Sequence, residues 1–430
     1  MYKRKNPLAA AMLSVVPGLG QIYNGELLKA GAFLVLNMLF AIEMYAVGFA
    51  AMTSFITLGT VPYEHNSLFL LIQGVMQLIV MLIFVLIVML SMRDAFITAK
   101  KFNNGEAPNT SFSELFRAAK ETGFPYLLTA PAVFMIIVAI IFPLLVTVFF
   151  AFVNYDFRNM PPAKLLDWVG FDNYRSIFTF ASYRSTFMQV FRWNIIWTLL
   201  ATTLQISLGM FLAVLCNQKF VKFKRLFGII FLLPWAVPSF ITILTFSNIF
   251  NVSFGAINTQ LIPLINQLFF LNIGAIPWRT DPFWTKAALI GIQTWLAFPY
   301  VYVIVSGILQ SISPEINEAA TIDGVTVWQR FRRITFPHIM MIASPIFVVQ
   351  YTGNFNNFAV IYLFNGGGPG SLGNMAGTSD ILISWVFKMS TGDAPQHSVV
   401  AAILLIISAI VISVAIIVFW RTKALDMEGL

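Results

Sequence analysis

Charge is what this sequence has least of. Only 10% of its 430 residues are Asp, Glu, Lys or Arg, against 58% hydrophobic residues. A water-facing globule carries roughly a quarter charged residues, so a soluble enzyme or a nucleic-acid binder is excluded. Cysteine is as scarce. The single Cys216 rules out an internal disulfide and any multi-cysteine metal site, and it leaves the redox compartment unread. No Gly-x-x-x-x-Gly-Lys-Ser/Thr segment occurs, so the chain has no phosphate-cradling loop of its own. Neither catalytic nor metal-ligating residues are expected.

What is present is apolar length. The 43 Phe residues and 15% aromatics suit a bilayer as solvent. A span needs about 20 apolar residues, and uncharged runs of that length predict eight: 30–57, 67–92, 126–153, 194–216, 226–250, 287–310, 339–363 and 398–420. The expected fold is therefore an all-α membrane protein, a polytopic bundle of eight transmembrane helices. Cations gather in alternate connections: Lys3, Arg4 and Lys5; Arg93, Lys100, Lys101, Arg117 and Lys120; Lys219, Lys222, Lys224 and Arg225; Arg330, Arg332 and Arg333; Arg421 and Lys423. Cytoplasmic loops carry the excess of Lys and Arg, so both termini are expected on the cytoplasmic side. The opposite loop at 154–193 also holds Arg158, Lys164, Arg175, Arg184 and Arg192, diluted by its length. The net charge of +8 thus faces lipid headgroups, not nucleic acid.

Composition divides the chain into a front section at 1–100, with an interfacial segment and two spans, a cytoplasmic linker at 101–123, and a six-span core at 124–430. After the basic residues, 7–19 reads either as a short helix at the inner surface or as an ordinary lead-in to the first span, since Pro17-Gly18 breaks the apolar run. The linker carries Asn103-Asn104-Gly105 and Pro108, then a polar face of Ser113, Glu114, Arg117 and Lys120 that suits a short amphipathic helix. Glu43 is the one ionisable residue near the middle of a predicted span. An intramembrane carboxyl is a functional candidate by default, but a bond to a polar neighbour such as Asn37 or Gln73 explains it more simply. The predicted spans of the core have no ionisable group, so the core has no proton relay and must take its work from another chain.

The loop 311–338 has the form of an attachment point for that chain. Ser313-Pro314-Glu315 starts a helix, with Ser as cap, Pro at the first position and Glu at the positive end. Ile316, Ala319 and Ala320 share a face, and Asp323-Gly324 ends it. Thr326 with Gln329 is a capping-box pattern that opens a second short helix through Val327, Trp328, Phe331 and Ile334, expected to end at Pro337. Small alanines beside Glu318 allow close seating in a partner groove. Glu318-Ala319-Ala320-x-x-Asp323-Gly324, followed by Phe331, Ile334 and Pro337, resembles the Glu-Ala-Ala loop of binding-protein-dependent ABC import permeases; Val325 stands where Ala is usual. The resemblance implies a type I importer fold with this loop as the coupling helix, docked on the ATP-hydrolysing subunit.

Polar and aromatic residues form a second candidate site. Gln350, Asn354 and Asn357 fall at i, i+4 and i+7, as do Gln293, Ala297 and Tyr300, while Trp235 and Ser239 are at i and i+4. Amides can donate to and accept from hydroxyls, and an aromatic ring can cover the C–H face of a pyranose, which suits a neutral sugar. The same residue types also serve as interhelical hydrogen-bonding groups. Pro234-Trp235-Ala236-Val237-Pro238-Ser239, Asn354-Phe355-Asn356-Asn357-Phe358, Asn365-Gly366-Gly367-Gly368-Pro369 and Thr378-Ser379-Asp380-Ile381-Leu382 together resemble MalF-type maltose/maltodextrin permease subunits over about 120–430.

That resemblance implies sugar held at Trp235, Ser239, Gln293, Leu296, Ala297, Tyr300, Gln350, Asn354 and Asn357, with coupling through Glu318, Ala319, Ala320, Asp323 and Gly324. Trp235 replaces a Tyr of the family, Gln293 an Asn, Ala297 a Gly and Gln350 a Ser. About 40 residues fill the place of a large outer domain, and Asp172-Asn173-Tyr174 within them resembles the family's outer-loop signature. The implied partners are a second, MalG-like permease, an ABC ATPase dimer, an extracytoplasmic sugar-binding protein and membrane lipid. ATP and Mg would be bound by the ATPase, with no cofactor in this chain. The alternatives are an ABC permease for another neutral sugar or a partner-independent secondary carrier. Prolines 131, 143, 234, 238, 299 and 345 within spans imply kinks.

Overall fold

In the computed structural model the described residues are 4–105, 119–218 and 220–422. The polar helix expected around Ser113, Glu114 and Arg117 lies outside them, as do Lys219 and Lys423. Among the described residues the secondary structure is helical, with two isolated β-bridges and no strand. Seven helices are long and apolar enough to cross a bilayer, and a bent pair makes an eighth span if its two arms are taken together. In order these are Leu27–Thr57, Ser67–Asn103, Phe124–Phe150, Ala181–Asn217, the pair Lys224–Ala236 and Ser239–Ile249, Pro282–Ser311, Val327–Asn365 and His397–Val418. They are the eight apolar runs of the sequence. The chain divides into two compact units, 1–173 and 174–430. The third span, grouped with the core in the sequence reading, belongs to the first of these.

In the first unit, Asn6 caps a short helix, Pro7–Leu13, by accepting from the Leu8 and Ala9 N–H groups, and a second, Leu19–Asn24, follows. Both pack on the C-terminal end of the second span, where Ala10, Ala95 and Ala99 are fully buried and a Cβ on Gly20 would lie 2.2 Å from the Ala10 carbonyl. Gln21 Nε2 donates to the Ser91 carbonyl at 3.0 Å and Asn24 Nδ2 to the Ala95 carbonyl at 2.7 Å. Lys29 bridges the buried Glu26 at 3.0 Å and Asp94 at 3.3 Å. The 7–24 segment is thus two short docked helices, so a short helix does form within 7–19, over Pro7–Leu13, and the segment is not a plain lead-in to the first span. At the other end of this unit Leu58, Leu71, Val75, Val153 and Leu166 form a core. Asn173 Nδ2 donates to the Ala151 and Val153 carbonyls at 2.9 and 2.8 Å, closing the open end of the third span.

Glu43 accepts from Gln77 Nε2 at 3.1 Å, so its partner is Gln77 and neither Asn37 nor Gln73. Gln73 lines the same notch. A wide π-turn, Met44–Gly48, follows Glu43. Four more such turns end just before a proline: Ala119–Gly123 before Pro125, Ile137–Ile141 before Pro143, Ile257–Leu261 before Pro263, and Phe331–Thr335 before Pro337. A proline ring collides with the carbonyl four residues back and offers no N–H. One extra residue in the preceding turn removes both conflicts. This corrects one expectation: Pro337 does not end the second loop helix, because the π-turn carries Val327–Arg330 onward into Phe336–Phe355.

In the second unit, the fourth, sixth and seventh spans form the core. Trp193, Trp197, Ala201, Leu289, Ile292, Ile361 and Phe364 pack in one layer, and Ala213, Val301, Val305, Ile339 and Ala343 in another. Gly209 is the point of closest approach, since a Cβ there would lie 2.6 Å from Val301 Cβ. The fourth span begins at Ala181, before the apolar run, so Arg184 and Arg192 are within its helix. The sixth begins at Pro282 and includes Lys286, whose Nζ lies 4.7 Å from the centre of the Trp193 ring. The helices of the core therefore do carry cations in their end turns, where the apolar runs alone showed none. The fifth span bends by 86° between Ala236 and Ser239. Val237 is extended (φ −110°, ψ 135°) because it precedes Pro238.

The connection from the seventh to the eighth span folds around one carboxylate. Asp380 is 1% exposed, pairs with Lys388, and accepts from the Gly377 N–H at 2.6 Å and the Ser384 hydroxyl at 2.8 Å. Burial raises its pKa above the ordinary range, against the opposing pull of Lys388 and these hydrogen bonds. Gly367 has φ +80°, and a Cβ there would lie 1.9 Å from Asp380 Oδ1. The glycine run therefore makes room for the acid as well as turning the chain. Removing one member of a buried pair costs about 3–5 kcal/mol. Lys388→Ala is expected to lower the melting temperature of the detergent-solubilised protein, and Asp380→Asn in the same chain to restore part of it. An unchanged melting temperature for Lys388→Ala would show that the pair does not hold this loop.

Candidate functional site

Two regions of the second unit gather the residues singled out by sequence. The first is a knot of amides between the fourth, sixth and seventh spans. Gln293 Nε2 donates to Asn354 Oδ1 at 2.8 Å and to Gln205 Oε1 at 3.3 Å. Asn354 Nδ2 donates to the Thr202 hydroxyl at 2.8 Å and to Gln205 Oε1 at 3.1 Å. Asn357 Nδ2 donates to Gln293 Oε1 at 2.9 Å, and Gln205 Nε2 to Gln350 Oε1 at 3.0 Å. Thr202 and Gln205 are fully buried, and Gln293 and Asn354 nearly so. An amide unpaired in hydrocarbon would cost several kcal/mol per group, so this pairing sets the register of the three helices.

The backbone of the seventh span opens at the knot. Helix Phe336–Phe355 stops, Asn356 and Asn357 leave helical geometry, and Phe358–Asn365 resumes. The fourth span binds the interruption: Asn194 Nδ2 donates to the Phe355 carbonyl at 3.0 Å, and Trp197 Nε1 to the Asn354 carbonyl at 2.9 Å. Irregular backbone at membrane depth survives only when its polar groups are satisfied by protein or face a cavity, and these two bonds meet that condition.

A partly exposed aromatic pair lies on the neighbouring turns. Trp235, half exposed, donates from Nε1 to the Leu296 carbonyl at 3.2 Å, and its ring centre is 6.0 Å from that of Tyr300, tilted by 42°. Leu296, Ala297 and Tyr300 are half-buried, and Ser239 is exposed at the start of the second arm of the fifth span, so the bend falls between Trp235 and Ser239. Of the nine residues expected on a sugar, Gln293, Gln350, Asn354 and Asn357 thus share one network, while Trp235, Leu296 and Tyr300 form another group. Gln293 and Asn354 direct their amides at protein. Gln350, Asn357, Tyr300, Trp235 and Ser239 keep exposed surface.

Thr202 and Gln205 were not among the expected residues. Their signal is present: Asn194, Thr198, Thr202 and Gln205 step along one face at intervals of four, four and three, and all four are buried.

The second region is the 311–338 loop. Ser313 caps Pro314–Ile322 by accepting from the Glu315 N–H. Gly324 takes φ +68°, and the Val325 N–H returns to the Ala320 carbonyl at 3.0 Å, closing the helix end. Thr326 and Gln329 form the full capping box. Glu318, Ala319, Asp323 and Gly324 are exposed, and Ala320 is buried. Ile322, Val327 and Trp328 are 86%, 65% and 67% exposed. Glu318, Ile322, Val327 and Arg330 line a recess of about 840 Å³ against the end of the fourth span. Apolar residues thus stand uncovered around a capped turn.

Residues 205–426 match the model of the family described as binding-protein-dependent transport system inner membrane component. The chain is 53% identical over 424 residues to the maltodextrin transport system permease protein MdxF of Bacillus subtilis (strain 168), covering 99% of this chain and 98% of that one. It is 44% identical over 423 residues to the galactooligosaccharides transport system permease protein GanP of the same organism, covering 98% and 99%. Its fold matches the crystal structure of a bacterial ABC transporter involved in the import of the acidic polysaccharide alginate, with TM-score 0.60 over 73% of this chain and 99% of that one at 18% identity. Interhelical hydrogen bonds in membranes contribute about 0.6 kcal/mol each, up to ~1.7, and Gln205 makes three. Gln205→Leu is expected to lower stability in detergent by about 2 kcal/mol, read as earlier thermal aggregation. Wild-type stability would show that the knot does not fix the helices.

Proposed function

The chain belongs to the binding-protein-dependent inner membrane components, the permease subunits of ABC importers, and on that premise we propose that its cargo is a maltodextrin-type oligosaccharide. The observation that carries the cargo is the combination on these spans of partly exposed amides, Gln350 and Asn357, with a partly exposed Trp235–Tyr300 ring pair. Hydroxyl-rich rings present both needs at once, hydrogen-bonding edges and apolar C–H faces. Full-length identity to a maltodextrin permease protein supports the same cargo. Gln293 and Asn354 hold the frame, while Gln350, Asn357, Tyr300, Trp235 and Ser239 touch the sugar.

The work comes from outside the chain. An ABC ATPase dimer holds ATP and Mg, and its closure pushes on the Glu318–Gly324 turn. A second, MalG-like permease completes the cavity, and an extracytoplasmic binding protein delivers the sugar. The chain sits in the cytoplasmic membrane with both termini cytoplasmic, as the basic loops suggest. Alternating access follows because the ATPase and the loaded binding protein each favour a different state of the bundle, and a ligand shifts an equilibrium only by its differential affinity.

Asn357→Ala and Trp235→Ala are expected to cut maltodextrin uptake by about ten-fold or more, while the ATPase still co-purifies. Unchanged uptake would remove these residues from the site. Glu318→Lys, and Gly324→Pro, whose ring cannot reach φ +68°, are expected to abolish uptake and sugar-stimulated ATP hydrolysis in protein that inserts normally. Persistent transport in both would show that this turn is not the coupler.

A further inference from the structure

At the end of the second unit opposite the 311–338 loop, a second cavity of about 420 Å³ opens where the fifth, sixth and seventh spans leave the bundle. Asn251, Ser253, Arg279, Thr280, Asn365 and Gly368 line it. Its polar groups are unusually idle. Both side-chain atoms of Asn365 are shielded from solvent with no hydrogen-bond partner, and so is Arg279 Nε. Arg279 is held from behind: one terminal nitrogen donates to the Ser247 carbonyl at 3.3 Å, and the guanidinium lies 6.0 Å from the Phe364 ring centre. Phe364 is fully buried, so the cation has a fixed base.

Buried polar groups are ordinarily bonded, and each exception needs a cause. The cause here is chemical asymmetry. The cavity offers one guanidinium, two amides and two hydroxyls, and no carboxylate lines it among the described residues. The nearest acid in sequence, Asp281, caps the sixth span, its Oδ1 accepting from the Phe283 and Trp284 N–H groups at 2.9 and 3.1 Å, and it does not line the cavity. A guanidinium with an idle Nε and an adjacent amide N–H makes a socket for a carboxylate, which arginine binds with two parallel bonds. The backbone fixes the mouth: Asn365 ends its helix, and Gly366 and Gly367 at φ +65° and +80° turn the chain into Gly368-Pro369.

We propose that this cavity is a docking socket for an acidic side chain of the extracytoplasmic binding protein, received by Arg279 and Asn365. The inference rests on the importer reading above. It gives that partner a defined anchor at the end of the bundle away from the coupling turn. The anchor lies where the ends of three spans meet, so occupancy of the socket senses their separation. A carboxylate that bridges Arg279, at the start of the sixth span, and Asn365, at the end of the seventh, favours the state in which those ends are close.

The test uses the assembled complex in nanodiscs of neutral lipid, with the cognate binding protein purified on immobilised maltodextrin. ATP hydrolysis is measured against binding-protein concentration. Arg279→Gln and, separately, Asn365→Asp, which fills the socket with the chain's own carboxylate, are each expected to raise the half-stimulating concentration by about ten-fold and leave basal hydrolysis unchanged. The wild-type value should rise with salt and that of Arg279→Gln should not. An acidic residue of the binding protein changed to Arg should restore stimulation to Arg279→Glu. Wild-type half-stimulation in both single variants, with wild-type stimulation intact, would overturn the socket alone. A defect seen only when anionic lipid is added would assign the socket to a lipid headgroup and also overturn it. Failure of the wild-type complex to respond to loaded binding protein at all would instead overturn the importer reading on which the socket rests.

Discussion

Amides buried in a bilayer have no water to bond, and that constraint organises the second unit. Gln205, Gln293 and Asn354 come from three different helices and satisfy one another. A change in register of any of the three would expose a donor or acceptor to hydrocarbon at a cost of several kcal/mol. The interrupted seventh span is held by the fourth as well, since Asn194 and Trp197 bond the Phe355 and Asn354 carbonyls that lead into its break. A cavity wall built from such a break can present Asn357 to a ligand while its neighbours stay locked.

A transporter must combine this rigidity with movement. The knot is rigid, while the ends of the spans are loosely covered: the fifth span is bent by 86° at Pro238, and the coupling turn leaves Ile322 and Trp328 uncovered. On the proposed mechanism, a partner pushing at Gly324 would meet helices whose centres are fastened. One of the proline-relieving π-turns bears on this directly. The one at Phe331–Thr335 joins the second helix of the 311–338 loop, Val327–Arg330, directly to the seventh span, so that helix runs unbroken past Asn354 to Phe355. That continuity is a mechanical path from the turn to the amides.

Much of this was legible in the sequence because the bilayer asks a simple question of each residue. Apolar length located all eight spans, and cap chemistry located the starts of both loop helices, at Pro314 and Val327. Helix starts outside the apolar runs were not legible: Arg184, Arg192 and Lys286 sit in helical turns that hydropathy alone discards. Pro337 misled because proline usually ends a helix, and nothing local in the sequence announces a π-turn. Gln205 is not legible because one amide in an apolar helix looks incidental until its three partners, 88, 145 and 149 residues away, are brought beside it. The same distance hid the idle state of Arg279 and Asn365, which is a property of an arrangement and not of a motif.

The central claim is that the chain moves sugar only when driven by a nucleotide-hydrolysing partner. Radiolabelled maltodextrin uptake into liposomes tests it most directly, comparing the purified chain alone with the full complex plus loaded binding protein and internal ATP. Sugar is expected to accumulate above the external concentration only in the complex. Accumulation by the chain alone, under a proton or sodium gradient, would contradict the claim.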